Sequence, residues 1–102
     1  VIENKEQLLI ITNRMVQMDN KFYVYIIESE VNRSIYIGMT KNLTHRIYEH
    51  NNELSGFTKS KAPWKLLWYC VFDNEKNAIL FEKYLKTGSG RAFIRKRIIS
   101  RS

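Results

Sequence analysis

The chain has one cysteine, one proline and four glycines in 102 residues. A lone Cys70 can form no internal disulfide, which suits a reducing cytoplasm. It stands in an apolar run and is expected to pack in a core rather than react. No Cys/His cluster has zinc-ligand spacing, and there is neither a repeat nor a low-complexity tract. No apolar run approaches the roughly 18 residues of a membrane helix. The first 17 residues carry acids and a single short apolar run, 8–11, so they do not read as a secretory signal. Beyond Glu82 there is no acid at all.

What is present is one small domain. A hydrophobic content of 44% with 13% aromatics is enough for one core. Residues 1–20 are expected to be an extension, disordered or holding a short helix over about 5–15. Met18-Asp19-Asn20-Lys21 leads into the first strand as an initiating methionine would, so the residues before it are expected to be dispensable. The domain proper is expected over 21–99, with 100–102 as a tail.

The charge is uneven. The net charge is +7, yet residues 1–30 hold three bases against five acids. The remainder therefore carries the positive charge, and after Glu82 come Lys83, Lys86, Arg91, Arg95, Lys96, Arg97 and Arg101. Such a domain fits a polyanionic partner, most simply nucleic acid; a solvated basic face is the plain alternative.

Two strand-like runs, 22–28 and 34–38, flank a polar turn, and a helix-like segment follows over 42–53. Strand side chains alternate, so Tyr23, Tyr25 and Ile27 share one face while Phe22, Val24 and Ile26 share the other. Tyr36 lies opposite to Ile35 and Ile37. Pairing the two runs as a hairpin can bring Tyr25 and Tyr36 together. On the helix, Leu43, Ile47 and Leu54 make an apolar stripe, with Arg46 and His50 on its margin and aimed toward the sheet. The run 64–72 reads as a third strand, apolar on both faces as if covered by helices on each side. Its tryptophans read as packing rather than base-stacking residues. Asp73 or Asn74 can cap the next helix, over 74–86, and Gly88 and Gly90 separate it from a last helix at 91–99.

On that next helix Ala78, Phe81 and Leu85 mark the buried face, and Glu82 falls among them, about 40° from Ala78. A carboxylate there needs a partner: an ion pair such as Arg46, a snorkelling path to water, or a metal.

These residues resemble the GIY-YIG nuclease family. The first motif stands as Tyr23-Val24-Tyr25, with tyrosine in place of the usual glycine, and the second is intact as Tyr36-Ile37-Gly38. Arg46 matches the family's arginine, His50 a histidine of many members, and Glu82 the metal-binding glutamate. The resemblance spans roughly 22–99, and the tail EKYLKTGSGRAFIRKR is similar to that of small stand-alone bacterial members. The chain is also similar to the N-terminal nuclease domain of the bacterial excinuclease. The fold expected is α/β in the broad α+β sense: a small, three-stranded, mostly antiparallel sheet flanked by helices. Periodicity supports three strands and three helices, while strand order and packing are what the resemblance implies.

The resemblance implies a metal-dependent endonuclease, in which Tyr25, Tyr36, Arg46, His50 and Glu82 are catalytic and Glu82 holds Mg²⁺ or Mn²⁺. A phosphodiester repels nucleophiles by its own charge. Cutting it takes a deprotonated water, a countercharge and help for the leaving oxygen, and a metal supplies the last two. Mg²⁺ keeps most of its waters, so one carboxylate suffices. Arg46 would face a non-bridging phosphate oxygen. A tyrosine serves as general base only where positive charge lowers its pKa from about 10, and Arg46, Lys41 and the metal are the expected sources. Tyr36 is assigned that role first and Tyr25 second, with His50 orienting or relaying the proton. Lys41, Lys59, Lys86 and Arg91 are expected to bind nucleic acid, DNA before RNA, with no small-molecule cofactor and no membrane. Gly38 is expected to let the backbone turn closely into 39–41. Structure-selective cutting in repair or recombination is the finer expectation. The alternatives are a weakly catalytic nucleic-acid-binding module and an accessory domain beside a larger protein partner. One departure favours the first of these: many members carry a supporting asparagine in the last helix, and here Ile94 stands where it would be sought, leaving its job to Thr87, Ser89 or nothing.

Overall fold

A computed structural model describes residues 20–53 and 56–99, together with Lys5. The expected extension over 1–20, Leu54 of the apolar stripe and the tail 100–102 otherwise lie outside the described residues. The sheet contains β1 (Phe22–Ser29), β2 (Ile35–Thr40) and β3 (Trp64–Phe72), in the order β2-β1-β3. Both pairings are antiparallel. The helices are α1 (Leu43–Tyr48), which continues as a π-helical turn over Glu49–Glu53, α2 (Glu75–Leu85), and α3 (Gly88–Phe93), which continues likewise over Ile94–Ile98. A 3-10 turn, Gly56–Lys61, precedes β3. The α+β architecture with a three-stranded antiparallel sheet is therefore as expected.

The central strand is β1, and every one of its residues is buried. Its alternation sorts the core into two layers. Phe22, Val24 and Ile26 join Ile37, Ala78, Leu85 and Ile94 on the face covered by α2 and α3. Tyr23, Tyr25 and Ile27 join Leu43, Ile47, Trp64 and Leu66 on the face covered by α1. β3 packs into both core layers, as its apolar faces predict, but most of its side chains are only partly buried. It is an edge strand, with Lys65 exposed and Val71 at 39% exposure. Its apolar composition reflects two half-covered faces, and full coverage falls to β1 because only β1 has a strand on each side.

Local chemistry sets the element ends. Asn42 caps α1 by accepting from the His45 N–H at 3.0 Å, and Asn74 caps α2 by accepting from Asn77 N–H at 3.1 Å. Thr87 caps α3, accepting from Gly90 N–H at 3.1 Å. The glycines therefore open the last helix rather than precede it, which moves its start from 91 to Gly88. A Cβ at position 90 would overlap the backbone of Tyr84 and Leu85, so glycine lets the end of α2 meet the first turn of α3. The β1–β2 turn closes with Ser29 N–H donating to Ser34 carbonyl at 2.8 Å, and Arg33 sits in the left-handed region at φ 66°.

Candidate active site

Register decides what meets across the hairpin. Tyr25 pairs with Gly38, and Ile27 with Tyr36, so both phenols stand on the α1 face of the sheet. Their ring centroids are 6.3 Å apart. Gly38 lies within β2, which runs on to Thr40, and this corrects its expected role. A Cβ there would lie within 2.6 Å of Tyr25 Cζ and overlap its hydroxyl. The position is small because the Tyr25 ring lies across it, not because the chain turns.

The helix side brings the remaining groups. Leu43 and Ile47 anchor α1 on the sheet. His50, in the π-helical turn that follows, is only 2% exposed, and its Nε2 lies 2.8 Å from Tyr25 Oη. Its ring also meets Tyr36 edge-on, with centroids 4.7 Å apart. Trp64 backs both rings, with centroids 6.3 Å from each. Arg46 donates to Glu49 Oε1 at 3.2 Å, and its guanidinium is close enough to the Tyr25 and Tyr36 hydroxyls to be stabilised by them. Its side chain remains 40% exposed, so the guanidinium links buried Tyr25 and partly exposed Tyr36 to solvent.

The electrostatics follow from burial. Desolvation, then the charge on Arg46, pull the His50 imidazole from 6.5 to about 4, with Glu49 opposing. His50 is therefore neutral at neutral pH. Burial works against the Arg46 cation, but hydrogen bonds to Glu49, Tyr25 and Tyr36 outweigh it and hold the guanidinium firmly protonated. Burial, and next the Tyr36 phenol, push the Tyr25 hydroxyl well above the usual tyrosine range; Arg46 pulls the other way, and Glu82 adds to the rise. Tyr25 thus sits in the site as a neutral phenol, shared between His50 and Arg46.

Glu82 comes from the other layer. It lies on α2, beside Ala78, Phe81 and Leu85, with a side chain 22% exposed. Its carboxylate is close enough to be felt at the Tyr25 phenol. The ion pair it makes is with Lys86 Nζ at 3.1 Å, one helical turn on, and not with Arg46. Among the described residues no group of three His, Cys, Asp or Glu side chains is placed to hold a metal. The donors suit a cation that keeps most of its waters: one carboxylate, already holding an ammonium as its counter-ion.

The predicted phosphate contacts divide. Lys86 is turned to Glu82, and Arg91 is exposed on α3. Lys41 lies over the Phe22 ring, 5.3 Å from its centroid, and so is directed toward the α2 layer rather than the phenols. A cation on that side finds the quadrupole of an aromatic face, which spacing along the strand does not reveal. The side chain of Lys59 lies outside the described residues. Tyr23, in the place of the family's glycine, is 2% exposed and packs in the α1 layer. Ile94 is buried in the other layer, and Thr87 is committed to its cap, donating to Tyr84 carbonyl at 2.6 Å and accepting from Gly90. Ser89 is exposed.

Two positioning residues are not apparent from the sequence motifs. Glu49 holds Arg46 from the next helical turn, and its i,i+3 spacing is a signal that could have found it. Asn51 accepts from Trp64 N–H at 2.6 Å and donates to Trp64 carbonyl at 3.4 Å, clamping the strand that backs His50. Nothing local in the sequence signals that second contact.

The family model of the GIY-YIG catalytic domain matches residues 21–96. A UPF0213 protein of Clostridium perfringens is 38% identical over 65 residues, which cover 63% of this chain and 69% of that protein. A UPF0213 protein of Staphylococcus saprophyticus is 34% identical over 71 residues, covering 69% and 85% of the two chains. One from Oceanobacillus iheyensis is 33% identical over 70 residues, covering 68% and 80%. With both tyrosines of the hairpin, the arginine and histidine of the helix, and a family match over residues 21–96, the chain belongs to the GIY-YIG nuclease family.

Proposed function

We propose that this protein is a divalent-metal-dependent endonuclease that hydrolyses phosphodiester bonds in DNA. The observation that carries the reading is the joining of Tyr25, Tyr36 and His50 around one half-exposed guanidinium. A fixed cation beside two phenols is a place for a phosphate, since the planar fork matches two of its oxygens. Preorganised positive charge there stabilises the extra negative charge of the pentacoordinate transition state.

The phenols take different parts. Tyr25 is fully buried, raised in pKa and bound to neutral His50, which suits a residue that holds Arg46 and the imidazole in place. Tyr36 is partly exposed and is the phenol that meets the attacking water. As the water oxygen bonds to phosphorus, Tyr36 takes its proton and hands its own hydroxyl proton to the neutral imidazole of His50, which is left protonated. The bond to the 3′ oxygen breaks with its electron pair, and that oxygen is protonated from solvent. Glu82 would hold Mg²⁺ or Mn²⁺, which when bound supplies Lewis-acid stabilisation of the leaving oxygen. Basic residues beyond Glu82, Arg91 among them, would grip the sugar–phosphate backbone. A domain this small has little surface for reading base edges, which favours selection by DNA structure, as repair or recombination requires.

The test is cleavage of labelled DNA structures (duplex, flap, branch and single strand) with Mg²⁺ or Mn²⁺, and with EDTA as control. Arg46→Ala and Glu82→Ala are each expected to lower cutting at least about a hundredfold while leaving the fold intact. Persistent cutting by either variant removes that residue from the mechanism. One observation favours a second reading, a nucleic-acid-binding module that does not cut, alone or beside a larger partner. Ile94 is buried where the asparagine of many family members would be sought, and Thr87 is spent on its cap. Salt-sensitive binding with no cleavage of any substrate would select it.

A further inference from the structure

Glu82 is the last acid in the chain, and a run of cations follows it. Of these it pairs with Lys86, whose Nζ lies 3.1 Å from Oε2. The arrangement is favoured twice. Glutamate precedes lysine by four residues, the better order on a helix, and Lys86 is the C-cap of α2, where the dipole favours a cation. The Lys86 side chain is 49% exposed and Glu82 22% exposed, so the ammonium is the more solvent-accessible member of the pair. A divalent cation binding at Glu82 has to share the carboxylate with this ammonium or displace it. A phosphate of the nucleic acid is a natural partner for the freed ammonium, which stands in a stretch that holds no further acid.

We propose that Lys86 is a positioning residue that guards Glu82. It neutralises the carboxylate in the free protein and passes to a backbone phosphate when nucleic acid binds, so that divalent cation and nucleic acid bind cooperatively. Such coupling is reciprocal: whatever draws Lys86 away tightens the cation, and the cation frees Lys86 for the phosphate. The proposal rests on Glu82 as the metal-holding residue, and the experiment separates the two.

Mn²⁺ binding to the full chain without nucleic acid is read by loss of the free-ion electron paramagnetic resonance signal. It is measured for the wild type, Lys86→Met, Lys86→Arg and Glu82→Gln, with circular dichroism confirming the fold. Removing a unit positive charge beside a divalent cation should tighten Mn²⁺ about three- to tenfold in Lys86→Met, while Lys86→Arg stays near the wild type. In a filter-binding assay, Lys86→Met should lose more duplex affinity in Ca²⁺ than in EDTA. Unchanged or weaker Mn²⁺ binding in Lys86→Met, with binding abolished in Glu82→Gln, overturns the guarding role alone. Mn²⁺ binding in Glu82→Gln equal to the wild type overturns the metal site and the guarding role with it.

Discussion

Gly38 and His50 show how much single residues depend on what the fold places against them. The space Gly38 leaves is filled by the Tyr25 ring. Gly38→Ala should therefore destabilise the protein by about 1–3 kcal/mol through overpacking, and should cut activity by shifting Tyr25 off His50. Urea unfolding together with the cleavage assay checks both. His50 is held neutral with a pKa of about 4 against 6.5 for the free side chain. Arg46, Glu49, Tyr25 and Tyr36 are the titratable or charged groups around it. The lowered folded pKa means that, between those values, the unfolded chain binds a proton that the folded chain refuses. Stability from this residue is therefore complete above about pH 6.5 and falls as the pH drops toward 4, by up to about 3 kcal/mol. His50→Gln should flatten that part of the stability–pH curve, measured by urea midpoints at half-unit steps. An equally steep curve in the variant would mean that other groups carry the dependence.

At the scale of elements, the hairpin and the loop before β3 are joined by one buried hydroxyl. Ser29 Oγ donates to Lys61 carbonyl at 2.6 Å and accepts from Val31 and Asn32 N–H at 3.1 and 3.2 Å. Glu30 N–H adds a bond to Pro63 carbonyl at 2.9 Å. The 3-10 turn is thus tied to the β1–β2 turn, and Trp64 begins from a fixed point. Ser29→Ala removes three part-buried hydrogen bonds at once and should cost about 1–3 kcal/mol, seen as a lower urea midpoint. A neutral result would mean that water replaces the hydroxyl. The π-helical turn after α1 is the other deciding element, because it carries His50 into the sheet layer. The apolar spacing of Leu43 and Ile47 made the helix legible. The widened turn was not, since no residue at 49–53 is specific to π geometry. The caps were legible as residue types, and the start of α3 was misplaced because Gly90 serves a helix–helix contact rather than a break.

For the whole molecule, charge and layering act together. The net charge of +7 predicts that binding to duplex DNA weakens about tenfold or more between about 50 and 200 mM salt. A salt titration by fluorescence anisotropy measures it, and a flat response would remove the backbone contacts from the proposal. Among the described residues no helix is long and apolar enough to cross a membrane. The sequence by itself determined the three strands, the cores of the helices and the sheet faces. Alternation in 22–28 sets which tyrosines lie together, and helical spacing sets which side of α1 is buried, because both periods are properties of the local backbone. It also determined the chemical types in the site and the basic end beyond Glu82. Only the tertiary structure decided that β1 is central, that Gly38 makes room for Tyr25, that Lys41 turns to Phe22, and that Glu82 answers to Lys86. Those outcomes are settled by contacts between residues distant in the chain or by rotamers competing for partners. A periodic pattern carries neither, since it says which face a side chain occupies and not what stands opposite.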